Sequence, residues 1–350
     1  MKIAILWTQL SGYLVSCLQE LQLRPGVEVF VAHMAGDPNA PFSGELYERL
    51  SNQYRWTTAD EPTGLHAAIE RFQPDIIVAA GWHIKPYRAV MRAWNRRATR
   101  IMTMDNCWLG TLKQWLGVAT AHYFVQTITD FVWLPGERQA VFAKKMGFET
   151  GRVFRGLYTC DHPEFASAYH RRRLSVVGSS RRFLFVGRFI EQKGLSALSE
   201  AYKQYRAQVA EPWPLICCGD GPLASMLQGI EGLSVEGFVQ PSQLPFRFGE
   251  ASCLILPSLF EAWGVVVHEA ASAGLCILAS DRVGAVPHLV QHGYNGFLFD
   301  PLNSNNLCSL MVRVSMLNND ALASMSDASY SLSLQFTPAR WADTLLSMAV

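Results

Sequence analysis

Short apolar runs alternate with longer segments of helical periodicity along most of the chain. The runs of the first half are KIAILW, VEVFVAH, DIIVAAG and RIMTMDN, and those of the second half are FLFVGR, LICCGD, CLILPS and LCILAS. Continuous apolar runs of this length are typical of parallel strands that are covered on both faces. Helical segments between them include residues 195–208 and 265–273. The alternation predicts doubly wound, Rossmann-like α/β units in which strands and helices follow one another.

The distribution of charge divides the chain into two parts. Residues 1–175 carry 20 Lys/Arg against 15 Asp/Glu, and residues 176–350 carry 10 against 14. The change of sign falls in a polar, basic segment with Gly and Ser, which is typical of a linker. We therefore predict a first Rossmann-like domain over residues 1–170, a linker over 171–182 and a second Rossmann-like domain over 183–335. Because ligands of open parallel sheets bind beyond the carboxyl ends of the strands, we expect the two domains to face a cleft.

The composition is that of a compact globular protein and argues against several other classes of protein. The chain has 350 residues, of which 49% are hydrophobic, and a formal net charge of +1. This balance argues against nucleic acid as a partner, and no apolar run reaches the roughly 18 residues that a membrane span needs. The N-terminal MKIAILWTQLSGY predicts a strand rather than a signal peptide. The eight cysteines form no Cys-x-x-Cys pair, so we expect free thiols in a reducing cytoplasm.

Two glycine-containing turns follow apolar runs in the second half. The turn GRFIEQKG at residues 187–194 brings Arg188 and Lys193 to the sheet edge, where a guanidinium and an ammonium can neutralise a diphosphate. Gly219 opens the turn GDGP, in which small residues let backbone amides approach a ligand. Val239 ends a short predicted strand that can offer backbone contacts to a nucleotide base. Ordinary loops explain each feature, taken alone, equally well or better.

The segment LPSLFEAWGVVVHEA at residues 256–270 carries the most chemistry. A helix is predicted to begin within it, at Trp263, Gly264 and Val265. The free N–H groups and the dipole of such a helix start suit a phosphate. Glu269 follows among apolar residues, where a carboxylate is costly without a partner and can accept two hydrogen bonds from ribose hydroxyls. Glu261, in the preceding loop, can reach a sugar beyond the phosphates; the alternative is one exposed and one capping glutamate.

Residues 183–300 resemble the nucleotide-binding domain of retaining glycosyltransferases of family 4, which have the GT-B fold. The matching motifs are, in order, Gly-Arg-x4-Lys-Gly at 187–194, GDGP at 219–222, LPS at 256–258, the Glu-x7-Glu pair Glu261 and Glu269, the run from Glu269 to Gly274, and Asn295-Gly296. The resemblance implies that Arg188 and Lys193 hold the diphosphate of a nucleotide-sugar donor, Glu269 its ribose and Glu261 the transferred sugar. It also implies retaining transfer of that sugar to an acceptor that the sequence does not identify.

The sequence contains no Asp-x-Asp, the carboxylate pair with which the other large transferase fold holds a divalent cation. We therefore predict no metal site and no cofactor, and expect Arg188, Lys193 and the helix start to stabilise the leaving diphosphate. Two alternatives stay open. One is another GT-B enzyme such as a nucleotide-sugar epimerase, which the Glu-x7-Glu pair fits poorly. The other is a non-catalytic nucleotide-sugar-binding partner subunit, against which the complete charged set argues.

The first half matches this family loosely. The family's glycine-rich loop after the first strand is reduced here to Gly12. His83 follows a predicted strand at a position where family members often carry a histidine facing the donor sugar, although a structural histidine is equally expected. Asp105 and Asn106 follow the next strand and are expected on the acceptor side of the cleft. Capping of a helix is the alternative for Asp105.

Residues 83–100 contain six basic residues and no acidic one. Four of them are predicted to share a helix face: Lys85, Arg88, Arg92 and Arg96. Such a face can bind an anionic acceptor or anionic lipid, which would give a peripheral location at the inner face of the membrane. A solvated helix face is the simpler interpretation. Residues 336–350 predict a terminal helix, which in the family packs back on the first domain.

Overall fold

The computed structural model describes residues 1–34, 48–57, 64–174 and 181–349, so that residues 175–180 of the predicted linker lie outside the described part. The chain forms two compact units. The first comprises Met1–Thr159 together with Pro338–Val350, and the second comprises Cys160–Thr337.

The units divide the chain earlier than the sequence predicted. The end of the first domain moves from residue 170 to Thr159, because residues 162–174 form a helix that belongs to the second unit. The ring of Phe165 on that helix lies edge-on to Phe248, with centroids 5.1 Å apart. The polar, basic end of the helix was mistaken for the start of a linker.

The described residues contain 13 strands, in two sheets. The first sheet contains β1 (Lys2–Trp7), β2 (Glu28–Met34), β3 (Gln53–Trp56), β4 (Ile76–Ala80), β5 (Thr99–Thr103), β6 (Phe131–Trp133) and β7 (Val153–Phe154). The second contains β8 (Phe183–Val186), β9 (Leu215–Cys218), β10 (Leu233–Val235), β11 (Cys253–Leu256), β12 (Cys276–Ser280) and β13 (Gly296–Phe299).

Helices connect these strands. In chain order they are α1 (Gly12–Gln22), α2 (Leu65–Phe72), α3 (Lys85–Ala93), α4 (Leu112–Phe124), α5 (Glu137–Lys145), α6 (His162–Leu174), α7 (Leu195–Gln208), α8 (Leu244–Gly249), α9 (Val265–Ser272), α10 (Val286–Leu289), α11 (Ser304–Ser315), α12 (Asn319–Ser333) and α13 (Pro338–Ser347). Short 3₁₀ turns occur at Thr150–Arg152, Glu191–Lys193 and Ala224–Leu227.

The first sheet is parallel throughout, in the order β3-β2-β1-β4-β5-β6-β7. Strand β1 lies between β2 and β4, with Ile3 opposite both Val29 and Ile76. The terminal helix α13 belongs to this unit, where the Trp341 ring packs on Trp133 at 4.8 Å between centroids. The strands are continuous apolar runs because helices cover both faces of the sheet.

The second sheet is also parallel, in the order β10-β9-β8-β11-β12-β13. Strand order reverses between β8 and β11, which are direct neighbours. Ligands of doubly wound sheets bind at the carboxyl ends of the strands at such a reversal. The loops that follow β8 and β11 therefore leave the sheet side by side, at the expected ligand edge of this unit.

Both units are thus Rossmann-like, as the alternation predicted. The eight apolar runs all form strands, and α7 spans the predicted residues 195–208. Two details differ from the sequence analysis. Strand β13 corresponds to no predicted apolar run, and the short strand predicted to end at Val239 ends at Val235. Gly237 adopts φ +69°, a left-handed conformation that ends an extended run and leaves Val239 in a loop.

Candidate functional site

Two loops of the second unit are joined by hydrogen bonds where β8 and β11 end. They are residues 187–194 and residues 257–264. The Gln192 side chain donates to the Phe260 carbonyl at 2.8 Å, and the Leu259 amide donates to the Gln192 carbonyl at 2.8 Å. Gly194 adopts φ +69°, and a Cβ there would lie 2.0 Å from the Pro257 carbonyl oxygen. Glycine is therefore required for the two loops to meet.

The turn after β9 packs against the first of these loops. A Cβ on Gly219 would lie 1.9 Å from the Gly187 carbonyl oxygen, and the Phe189 amide donates to the Asp220 carbonyl at 2.7 Å. The Gly219 amide itself donates to the Gly237 carbonyl at 2.6 Å. Gly219 thus brings two loops together, and its amide is already engaged, unlike the ligand-facing amide that the sequence suggested.

Lys193 and Glu261, which are 68 positions apart, form an ion pair across the joined loops. Both side chains are largely buried, with exposed fractions of 14% and 12%. Burial and then the neighbouring Arg188 guanidinium lower the pKa of Lys193 to about 8. Arg188 itself is exposed and makes no ion pair with the described residues. The structure therefore brings together three of the predicted charged residues.

A third loop, between β12 and α10, supports the backbone around Glu261. The Gly284 amide donates to the Glu261 carbonyl at 3.0 Å, and the Ala285 amide donates to the Trp263 carbonyl at 2.8 Å. A Cβ on Gly284 would lie 1.9 Å from the Ala262 carbonyl oxygen. No predicted site residue lies in this loop, SDRVGAVP, although its glycine was an available signal.

Helix α9 begins at Val265, directly after Gly264, which adopts φ +92°. The left-handed Gly264 lets the chain turn from the loop into the helix, whose first turn follows Glu261 closely along the chain. The Val267 amide of this turn donates to the Gly264 carbonyl at 3.0 Å. Trp263 was predicted at this site through the backbone of the helix start. Its side chain lies in the interior, 2% exposed, with its ring 5.5 Å from Phe336. The large apolar indole packs in the core while only the backbone of this residue stays at the helix start.

Glu269 lies one turn into α9 and is partly buried. Its carboxylate makes no hydrogen bond or ion pair with the described residues. Burial raises the pKa of Glu269 to about 7. The neighbouring His268 is satisfied internally, since its Nδ1 accepts from the Cys160 amide at 2.9 Å and its Nε2 lies 3.1 Å from the Ser333 carbonyl. Glu269 is therefore a carboxylate that folding has dehydrated and left without a protein partner in the described ranges.

The remaining predicted site residues lie in the first unit. Gly12 is the first residue of α1, and His83 is exposed after β4. Asp105 accepts a hydrogen bond from the Tyr158 hydroxyl at 3.1 Å, whereas Asn106 is exposed. Asp105 does not cap the helix that follows, because α4 is capped by Thr111, which accepts from the Gln114 amide at 3.3 Å.

Tyr158 was missed by sequence reasoning, since it is 53 positions from Asp105 and follows no motif. Its ring lies edge-on to Tyr13, with centroids 5.7 Å apart. Burial raises the pKa of Tyr158, so the phenol stays protonated and donates to the carboxylate. This unit therefore holds Asp105 in one orientation.

The basic face predicted over residues 85–96 is shorter than expected. Helix α3 ends at Ala93, and Arg96 lies beyond it with φ +60°. Arg97 forms a two-point ion pair with Glu70, and the buried Arg100 pairs with Asp130. These charges stabilise the first unit rather than extend the basic face.

The described part of the chain offers neither a membrane span nor a metal cluster. No helix among the described residues is long and apolar enough to cross a bilayer. No group of three or more His, Cys, Asp or Glu side chains within the same ranges is arranged to hold a metal ion. All eight cysteines are buried free thiols.

Comparison with known sequences connects the second unit to a family. Residues 169–329 match the family model described as "Glycosyl transferases group 1". An uncharacterised glycosyltransferase of Methanocaldococcus jannaschii is 28% identical over 148 residues, which are 39% of this chain and 36% of that protein. The sulfoquinovosyl transferase SQD2 of Arabidopsis thaliana is 32% identical over 149 residues, which are 40% of this chain and 28% of SQD2. The chain thus aligns with about a third of the length of these relatives.

Solved structures match the fold over nearly the whole chain. A glycosyltransferase from Rickettsia africae has a TM-score of 0.78 at 14% identity, covering 99% of this chain and 97% of that one. HepE of Anabaena, solved in complex with UDP-glucose, has a TM-score of 0.70 at 19% identity, covering 98% and 99%. These likenesses establish the GT-B fold. Residues 169–329, which carry the Lys193–Glu261 pair and Glu269, therefore match the group 1 glycosyl transferases, on a chain with the GT-B fold.

Proposed function

We propose that the protein is a retaining glycosyltransferase that transfers a sugar from a nucleotide-sugar donor without the help of a metal ion. The observation that carries this proposal is the partly buried Glu269 carboxylate, which has no hydrogen-bond partner among the described residues and lies in the first turns of α9. A buried carboxylate is costly unless a ligand supplies donors, and vicinal ribose hydroxyls supply two. The family match of this unit supports the proposal, as does the UDP-glucose complex of HepE, a protein of the same fold.

The Lys193–Glu261 ion pair suggests how the donor is received. A diphosphate is a stronger partner for an ammonium than a single carboxylate is, so a bound donor would draw Lys193 from Glu261. The carboxylate would then be free to accept a hydrogen bond from a hydroxyl of the transferred sugar. Arg188, exposed and beside Lys193, would add a second cation to the diphosphate. Both cations act most strongly as negative charge grows on the leaving diphosphate in the transition state.

We assign the acceptor side to the first unit, where Asp105 is held by Tyr158. His83, exposed at the end of β4, is our candidate for a contact to the donor sugar. The buried free thiols fit a reducing cytoplasm.

Calorimetry on two variants tests the assignment of the glutamates. Glu269→Gln keeps the size of the side chain but loses charge-assisted bonds to ribose, so we expect weaker binding of the free nucleoside diphosphate and of the intact donor, by about tenfold. Glu261→Gln should leave binding of the free diphosphate nearly unchanged and weaken only the intact donor or its turnover. UDP and UDP-glucose are the first pair to test, with GDP- and ADP-sugars as alternatives. Equal weakening of free diphosphate binding in both variants would show that the assignment is wrong.

Turnover by the purified chain separates an enzyme from a non-catalytic partner subunit. Arg188→Ala and Lys193→Ala should lower turnover more than they lower donor affinity, because they act on the leaving group. We also expect activity to persist in excess EDTA, since the two cations and the start of α9 stabilise the diphosphate. Loss of turnover on chelation that Mg²⁺ or Mn²⁺ restores would contradict metal independence.

A further inference from the structure

Helix α4 of the first unit turns its apolar side outward. Leu112 is 84% exposed, Leu116 70% and Tyr123 71%, and at 3.6 residues per turn these three share one stripe of the helix. Trp115, 54% exposed, borders the stripe. The fully buried residue of this helix is the small Ala121. A surface helix of a globular protein ordinarily does the reverse, packing its large apolar residues inward.

The surroundings of this stripe are basic and aromatic. Residues 106–129 contain no Asp or Glu. Lys113 on the helix is exposed, as are Lys144 and Lys145 at the end of α5. The Lys145 ammonium lies 4.8 Å from the centre of the Trp108 ring and 5.4 Å from that of Trp115, which links the cations to the apolar stripe. Tryptophan, tyrosine and lysine around exposed leucines are the composition of a helix at a membrane interface.

We propose that this surface docks on an anionic lipid bilayer. The docking surface, which we call the α4 face, consists of Leu109, Leu112, Trp115, Leu116 and Tyr123, with Lys113, Lys144 and Lys145 at its border. Its 13-residue helix is too short to span a bilayer and lies in the plane of the headgroups, with the leucines in the acyl region. The lysines contact anionic headgroups, each adding to the affinity.

The positive charge of the α4 face favours an anionic bilayer over a second copy of the chain as its partner. Symmetric pairing through the α4 face would bring the same three lysines of both copies together with no carboxylate of residues 106–129 to neutralise them. An anionic bilayer supplies the missing charge and the missing apolar environment at once. The α4 face is distinct from the predicted basic face on α3, which has exposed Lys85 and Arg92 but buries its apolar residues.

Vesicle co-sedimentation of the full chain tests the proposal. The vesicles are phosphatidylcholine alone and phosphatidylcholine mixed with phosphatidylglycerol. We expect the protein to bind the mixed vesicles, with salt weakening the binding. L112S/L116S should lower the partition coefficient at least about tenfold, because two apolar side chains no longer enter the acyl region. K144A/K145A should lower it about tenfold through lost headgroup contacts.

The matched control is L23S/L302S, which removes two leucines that are 77% and 69% exposed elsewhere on the chain and should leave binding unchanged. Thermal unfolding of each variant checks that it is folded. Failure of the unaltered protein to bind mixed vesicles would overturn the proposal. The proposal would also be overturned if K85A/R92A lost vesicle binding while L112S/L116S kept it, because the lipid contact would then lie on α3. A dimer in sedimentation velocity that L112S/L116S dissociates would identify a second copy as the occupant and overturn it as well.

Discussion

At the scale of residues, the partly buried carboxylate of Glu269 makes the stability of the fold depend on pH. A glutamate carboxyl ordinarily titrates with a pKa of 4.5, and burial in the folded protein raises the pKa of Glu269 to about 7. Between these values the folded state binds more protons than the unfolded state, so the free energy of unfolding falls as pH rises from 4.5 to 7. The size of this loss is on the order of 3 kcal/mol, and it is complete above the folded pKa.

Glu269→Gln should remove this part of the pH dependence. We expect the variant to be more stable than the unaltered protein above pH 7, measured by denaturant unfolding, while it binds nucleotide less well. Glu211→Gln, which changes an exposed carboxylate of the same unit, is the control and should leave the slope unchanged. An identical slope of stability against pH in Glu269→Gln and the unaltered protein would mean that the carboxylate is not dehydrated in solution.

The sequence singled out the charged residues of the candidate site but did not show which of them pair. Arg188, Lys193, Glu261 and Glu269 stand in motifs that are visible in the sequence. Lys193 pairs with Glu261, whereas Glu269 pairs with nothing among the described residues. Both outcomes depend on which loops meet.

At the scale of elements, the site depends on loops that approach closely enough to exclude a side chain. Gly284→Ala should push the loop between β12 and α10 away from the Ala262 carbonyl, which a Cβ would approach to 1.9 Å. We expect a loss of roughly 2 kcal/mol in stability, by thermal or denaturant unfolding, and weaker binding of the intact donor. Gly151→Ala is the control, because a Cβ there meets nothing within 4 Å. Equal stability of the two variants would show that the loop yields without cost.

Most interior strands were predictable, but the interior strand β6 and the edge strands were not. Strands β1, β4, β8 and β11 are covered on both faces, so their residues form continuous apolar runs in the sequence. The edge strands β3, β7 and β10 have half-exposed residues and only two to four positions each. Such strands owe their conformation to the neighbour that they pair with, which the local pattern does not encode.

At the scale of the molecule, local sequence patterns were enough to predict the two α/β units, the strands at the centre of each sheet and the residues that follow these strands. Alternation of apolar runs and helical segments reports burial within each segment, and this information is local. Those inferences needed no knowledge of which segments touch.

The tertiary structure alone decided which segments belong together. It moved α6 into the second unit. The family resemblance implied that α13 belongs to the first unit, but the contact was not predictable: the Trp341 indole donates to the Leu157 carbonyl at 2.8 Å across 184 positions. The tertiary structure also decided that the loops after β8 and β11 lie side by side and that α4 exposes its leucines. The physical reason is that neighbouring strands in a sheet need not be consecutive in the chain. The contacts of the candidate site therefore form only when distant segments pack, and the same packing decides which helix faces stay uncovered.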